Sequence, residues 1–289
     1  MLYRNLIVIL FVFAKFHSYQ GCTIKKNKIS LPCKEYDLNS PVRVKLSDQL
    51  AEISGISFYS RDSSIFAISD ESGNLFKIFW DRKMKINKWK FDKSRDFEDV
   101  VNHDSSFYIL ESNGNIQTLN FSAKGDTIFK SKSVFPVSEG VDNEFESIYF
   151  DPESGQLVMI CKDCEADKKK SVSAWNFDPQ SGAYTPSPFS IDVHAIAQRI
   201  GDKDFKFKPS GATINPRTKE VWILASANQL LIVTDKKGTL KAVYTLNPVI
   251  FRQPEGIAFT PWGDLLISNE ASDKYETSTL LIFKPQKRG

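Results

Sequence analysis

The sequence predicts an all-β fold, a five-bladed β-propeller closed by an N-terminal strand and carrying one short inserted helix. Three observations predict it. Five segments recur along the chain with a shared pattern. Each is followed by the same succession of polar turn and apolar strands. One apolar strand near the N-terminus has no repeat of its own, and the last repeat is one strand short.

The recurring segments are 52–58 (EISGISF), 96–101 (DFEDVV), 144–150 (EFESIYF), 208–214 (KPSGATI) and 253–259 (QPEGIAF). Each has Glu or Ser at its third position, mostly a small residue next, and then an alternating apolar run. The third positions are Ser54, Glu98, Glu146, Ser210 and Glu255, at intervals of 44, 48, 64 and 45 residues. A polar turn follows each segment, as in DPESG at 151–155 or TPWG at 260–263, where Pro and Gly set the dihedrals. Second strands follow (IFAIS, FYILES, LVMICK, VWILAS, LLISNE), then third strands (LFKIFW, IQTLNF, SVSAWNF, LLIVTD, TLLIFK). Fourth strands are visible at 86–91 and 240–246.

Four short antiparallel strands in a unit of about 45 residues make a propeller blade. A single blade is apolar on both faces, so it is stable only between neighbours, and a ring supplies them. Residues 42–46 (VRVKL) are placed as the missing strand of the last blade. That closure removes the sheet edges that would otherwise invite aggregation. The long third interval holds residues 192–203 (DVHAIAQRIGDK), which set Val193, Ile196, Ala197 and Ile200 on one helical face. We read a short amphipathic helix there, with a degenerate sixth blade as the alternative.

The expected domains are a signal peptide over 1–21, a tether over 22–39 and the propeller over 40–289. Arg4 precedes a nine-residue apolar run, 6–14 (LIVILFVFA), which is short for a bilayer span. The run leads to Gly21-Cys22, a small residue before Cys, as at a lipoprotein cleavage site. Tyr19 and Gln20 depart from the usual pattern. Lipidation of Cys22 would tether the chain to a membrane of the cell envelope, with the polar, basic TIKKNKIS of 23–30 as the flexible link. The net charge is +3, and Arg4 and Lys15 fall within the signal, so the mature chain is nearly neutral and makes no electrostatic case for nucleic acid.

Cys33, Cys161 and Cys164 remain. The Cys161–Cys164 CxxC has no second CxxC and no nearby His pair, so zinc is weakly supported. A local disulfide or two quiet thiols accounts for it better, and export permits the disulfide. His103 and His194 read as surface residues, and no nucleophile elbow or phosphate loop is present. The tryptophans are explained by blade packing, except Trp262 in its Pro-Trp-Gly turn.

In a blade the first two strands are antiparallel, so the start of one and the end of the next share a face near the axis. Glu98, Glu146 and Glu255 are therefore expected to converge at one mouth of the channel. Second-strand ends add Asp70, Glu71, Glu111, Asp163, Asn269 and Glu270, with Lys162 among them. Carboxylates ~8 Å apart repel by about 2 kcal/mol per pair at an effective dielectric of ~20. Protonation, a lysine or a cation relieves this. Oxygen donors without His or thiolate favour calcium or magnesium, and a ring spread over several strands suits calcium.

The motifs EISGI (52–56), AISDE (67–71), DFED (96–99), Cys161-Lys162, PSG (209–211), QPEGI (253–257) and ISNE (267–270) resemble the SdiA-regulated (YjiK-like) family of exported bacterial propellers. They are spread over about residues 37–285. The resemblance implies a five-bladed propeller with a calcium site in these acidic motifs. By position its ligands would be Glu98, Glu146 and Glu255 first, then Asp70, Glu111 and Glu270. Ser54 and Ser210 break the Glu pattern, so the ring need not involve every blade. The family is also distantly similar to NHL-repeat propellers, some of them metal-dependent hydrolases.

Two functions follow as expectations. The first is a lipid-anchored, calcium-binding envelope module whose partner is a small molecule or an envelope protein. The second is a metal-dependent hydrolase of lactonase or phosphoester type, with Asp70 or Glu270 as base. A closed ring has no obligatory interface, so a monomer is expected.

Overall fold

The structure is a computed structural model. It describes residues 32–70, 72–80, 84–125, 128–137, 141–271 and 277–286. The signal peptide, Cys22 and the first part of the tether lie outside the described residues, as does Glu71.

Strand β1 (Val42–Lys45) opens the ring. The first blade is β2 (Ile53–Tyr59), β3 (Ser64–Ser69), β4 (Asn74–Phe79) and β5 (Lys85–Lys90). The second is β6 (Phe97–His103), β7 (Ser106–Glu111), β8 (Ile116–Phe121) and β9 (Ile128–Ser133). The third is β10 (Asn143–Asp151), β11 (Gln156–Cys164), β12 (Ser171–Phe177) and β13 (Tyr184–Asp192), followed by helix α1 (Val193–Ile200). The fourth is β14 (Gly211–Ile214), β15 (Val221–Ala225), β16 (Leu230–Thr234) and β17 (Leu240–Thr245). The fifth is β18 (Pro254–Phe259), β19 (Leu265–Asn269) and β20 (Thr279–Phe283). Strand β1 pairs with β20 and completes this last sheet, in register Val42–Ile282 to Lys45–Thr279.

Every sheet is antiparallel, and the innermost strands of neighbouring blades touch in ring order, β2 to β6 to β10 to β14 to β18 and back to β2. The hydrophobic core is correspondingly divided into five clusters, one at each blade interface. Phe66 of the first blade packs with Phe107 and Ile109 of the second. Leu110 of the second packs with Met159 of the third. Trp222 of the fourth meets Ile257 and Leu265 of the fifth. Because each blade face is buried only by its neighbour, the ring and not the blade is the stable unit.

The inserted segment forms the expected helix. Asp192 caps it by accepting from the His194 N–H at 2.8 Å, and Gly201, at φ +69°, ends it. Val193, Ile196 and Ala197 bury against the third and fourth blades, and no sixth sheet forms among the described residues. Part of the stretch expected as a tether packs on the propeller. Cys33, Tyr36 and Leu38 are buried between the fourth and fifth blades, and the Tyr36 hydroxyl donates to the Gly263 carbonyl at 2.7 Å. Apolar side chains at these positions cost more in water than docking costs in chain entropy. Cys161 and Cys164 form a disulfide.

Candidate functional site at the acidic mouth

The third-position residues reach the channel because of a repeated irregularity. The pairing of the first and second strands shifts register between Ile53 and Ile56, Phe97 and Asp99, Phe145 and Ser147, and Pro254 and Ile257. Each shift is a bulge at the same place in the repeat. A bulge bends the strand and re-aims its side chains. In the fourth blade β14 begins only at Gly211, so Ser210 stands just before the pairing starts.

The fourth position lets the inner strands pack closely around the axis. A Cβ on Gly211 would lie 2.3 Å from the Glu255 carbonyl oxygen, and one on Gly256 2.9 Å from the Ile56 nitrogen. The second blade has Asp99 there. Its buried carboxylate accepts from the N–H groups of Val100 at 2.8 Å and Ile148 at 3.0 Å, tying β6 to β10. Burial pushes its carboxyl well above the usual range.

Above this waist a cavity of about 660 Å³ opens at the starts of the first strands and the ends of the second. Asp70, Glu98, Glu146, Glu255 and Glu270 all line it, together with Asp96 and Glu144. Three cations share the lining: Lys162, Lys208 and Arg252. Lys162 donates to Glu144 at 2.7 Å and to Glu146. Burial lowers its pKa, but these two carboxylates outweigh that and raise it.

Burial, then the charges of Glu146, Asp96 and Asp70, push the Glu98 carboxyl up to about 9. Burial, then Glu146 and Glu270, push Glu255 up to about 8. Glu146 is raised by burial against the pull of Lys162, and Glu270 by burial and the nearby Glu52 charge. Glu270 also accepts from the Gln253 amide at 3.2 Å. With seven carboxyl groups against three cations, the mouth resists full ionisation, and Glu98 and Glu255 keep their protons near neutral pH.

Five of the six expected ligands are thus brought together, and Glu111 is not. It is buried within the second blade, where Lys132 donates to both of its oxygens at 2.8 and 2.7 Å, with Asn115 and Gln117 beside it. Those partners outweigh burial and lower its pKa. The strand carrying it turns back at Glu111, whose N–H donates to the Asn115 carbonyl, so the side chain points into its own blade. Asp163 is likewise absent from the lining; it lies 3.7 Å from Lys208.

Asp96, Glu144 and Gln253 were not singled out by sequence. They are first positions of the repeat, two residues before the third, and the period of an extended chain would have found them. The fit to a hard cation rests on the donor set. The lining offers carboxylate, hydroxyl and amide oxygens, with neither imidazole nor thiolate. No three of the mouth carboxylates, among the described residues, have oxygens within 4.8 Å of one another, so they would have to draw together around an ion. Among the described residues the one trio of Cys, Asp or Glu with ligand atoms within 4.8 Å of one another is Cys161, Cys164 and Asp167. The disulfide occupies both sulfurs of that trio, and Asp167 accepts from Ser171 and the Ser173 N–H.

The SdiA-regulated family model matches residues 28–278. No curated protein matches the chain in sequence. Among solved structures, it is similar to a gluconolactonase of Xanthomonas campestris, at 10% identity and a TM-score of 0.53, over 86% of this chain and 91% of that one. It is also similar to a calcium-binding protein, regucalcin, of Agrobacterium tumefaciens, at 14% identity and a TM-score of 0.51, over 87% and 95%. A glutaminyl cyclase of Myxococcus xanthus matches at 12% identity and a TM-score of 0.53, over 86% and 98%. At these identities the likeness establishes the fold alone.

Proposed function

The chain belongs to the SdiA-regulated family, and we propose that it is a binding module of the cell envelope that takes a calcium-type cation at its acidic mouth. The observation that carries this reading is the charge of that mouth: seven carboxylates face three cations around one cavity, and two are pushed up to about 9 and 8. Glu98, Glu146 and Glu255 would hold the ion, with Asp70 and Glu270 beside them. Once bound, the ion would neutralise these carboxylates and offer positive charge to a ligand oxygen.

The chain's own residues set the terms. Lys162 holds Glu144 and Glu146 apart from their neighbours and competes with any ion for them. Gln253 orients Glu270. The cavity of about 660 Å³ has room for a small molecule or a segment of an envelope protein. The neighbour regucalcin is described as calcium-binding, which agrees with this reading. Cys22 would carry the lipid that keeps the module at the membrane.

Melting in calcium and in chelator tests the cation. Calcium at 100 times its dissociation constant should stabilise the protein by about 2.7 kcal/mol. Glu98→Gln with Glu255→Gln should abolish that gain. An unchanged melting temperature in wild type sinks the reading. Cys22→Ala should move the protein from the membrane fraction to the soluble one, and persistent membrane retention would refute the anchor.

One observation favours a second reading, a hydrolase. The Glu270 carboxyl, raised by burial and the Glu52 charge, lines the same cavity beside the proposed ligands, held by the Gln253 amide, and could serve there as general base. Lactone and phosphoester hydrolysis should then be measurable and fall at least ~100-fold in Glu270→Gln while calcium still raises the melting temperature. No turnover with calcium bound leaves the binding module as the function.

A further inference from the structure

The channel has a second mouth, formed by the opposite ends of the same five inner strands. There a cavity of about 280 Å³ is lined by residues 56–58, 100–102, 148–150, 212–214 and 257–259. The repeat sets Phe58, Phe150 and Phe259 at equivalent seventh positions, and Ile214 in the fourth blade. None of the lining residues is acidic.

Two of the lining polar groups are engaged in the fold. The Ser57 hydroxyl accepts from the Asn102 N–H at 3.0 Å, and the Asn102 amide donates to the Ser106 carbonyl at 3.0 Å. Lys219 is different. It is the single charged residue of the lining, exposed, with its backbone fixed at φ +62° and its N–H bonded to the Asn215 carbonyl at 2.9 Å. Its ammonium pairs with no described carboxylate. Trp262, about half exposed, stands edge-on to Phe58 with centroids 5.4 Å apart, and His103 stacks on Phe150 at 3.6 Å.

A partly enclosed cavity lined mostly by apolar side chains, with one cation at its rim, is complementary to a flat apolar body carrying one negative charge. Its volume lies just below that of pockets for drug-sized ligands, so the ligand is smaller than those. We propose that this mouth binds a small aromatic monocarboxylate, its ring among Phe58, Phe150 and Phe259 and its carboxylate at Lys219. The site is independent of the acidic mouth. That mouth repels anions when no cation is bound, so binding measured in chelator reports the second mouth alone.

Calorimetric titration of the folded chain with trans-cinnamate in chelator tests this, with cinnamamide as the neutral isostere. Cinnamate should bind, and both the amide with wild type and cinnamate with Lys219→Gln should bind about fivefold more weakly, the upper range for one exposed ion pair. Thr213→Trp, which fills the cavity from a half-buried position, should abolish binding while a cooperative melt shows that the ring is intact. Absence of cinnamate binding up to millimolar concentration overturns the proposal. So does equal affinity for acid and amide, or undiminished binding by folded Thr213→Trp. If Thr213→Trp does not fold, Pro216→Trp, half-buried in the turn at the cavity rim, replaces it under the same criterion.

Discussion

The two mouths of the channel are opposite ends of the same five strands, yet one is acidic and the other aromatic. The acidic mouth gathers third-position and first-position residues with the ends of the second strands. The aromatic mouth gathers fifth- to seventh-position residues. Between them the waist is closed by small fourth-position residues and by Asp99. The difference teaches that a propeller separates its chemistry along the strand. Near the bulge, side chains are turned to the axis and need no packing partner, so charge accumulates there. Past it the pairing is regular and apolar side chains bridge between blades.

The largest effect should come from breaking the waist that divides the mouths. Asp99→Ala leaves the Val100 and Ile148 N–H groups without their acceptor. At about 1–3 kcal/mol for each buried group, stability should fall by about 3 kcal/mol. With ~2–4 °C per kcal/mol for a domain of this size, the melting temperature drops by roughly 6–12 °C. Gly211→Val, which collides with the Glu255 backbone, should cost about 1–3 kcal/mol by overpacking. A neutral result for both substitutions would mean that the inner strands do not approach as closely as described.

The charge of the acidic mouth supplies the next effect. The folded Glu98 and Glu255 carboxyls lie at about 9 and 8, above the ordinary 4.5. The folded state therefore binds more protons than the unfolded state between these values. Their contribution to stability is full below pH 4.5 and is lost as pH rises through about 8 and 9. In chelator, stability should decline from pH 5 to pH 9, whereas saturating calcium should flatten or reverse the decline. Glu98→Gln with Glu255→Gln should flatten it without calcium, by removing the two carboxyls that must ionise against burial and against their charged neighbours. A pH profile identical in wild type and double variant would show that these two carboxyls are not held in their protonated form by the mouth.

Lys162→Met separates the tethered cation from the free one. Glu146 then loses its partner, the apo protein becomes less stable, and calcium should bind about tenfold more tightly, equal to 1.4 kcal/mol. Weaker calcium binding in this variant would mean that Lys162 orders the ligands instead of competing for them. The smallest effect should come from Trp262→Ala. It removes a half-exposed ring, an edge contact worth about 0.5–1.5 kcal/mol, and an N–H donated at 2.7 Å to the Asp264 carboxylate, which Lys284 still serves. A larger loss would place Trp262 in the core of the ring.

The blade count, the closing strand, the helix and five of the six expected mouth residues were legible from spacing alone. Alternation fixes which side chains share a face, and a blade cannot hide both of its faces without neighbours. Asp96 and Glu144 were legible too, by the same period, two residues before Glu98 and Glu146. Glu111 could not be placed by counting. It ends a second strand as Asp70 and Glu270 do, and only the position of Lys132 on β9, two strands across the same blade and 2.7 Å away, shows where its charge is satisfied.

The sequence by itself determined the ring and the face on which the acids gather, because both follow from short-range periodicity repeated five times. The tertiary structure decided three further things. It showed that the Cys33–Leu38 stretch docks between blades, that Cys161 and Cys164 bond to each other, and that the channel has a second, aromatic mouth with one unpaired lysine. Each of these depends on distances between residues far apart in the chain or on the local path of a bulged strand. A periodic pattern carries no information about either.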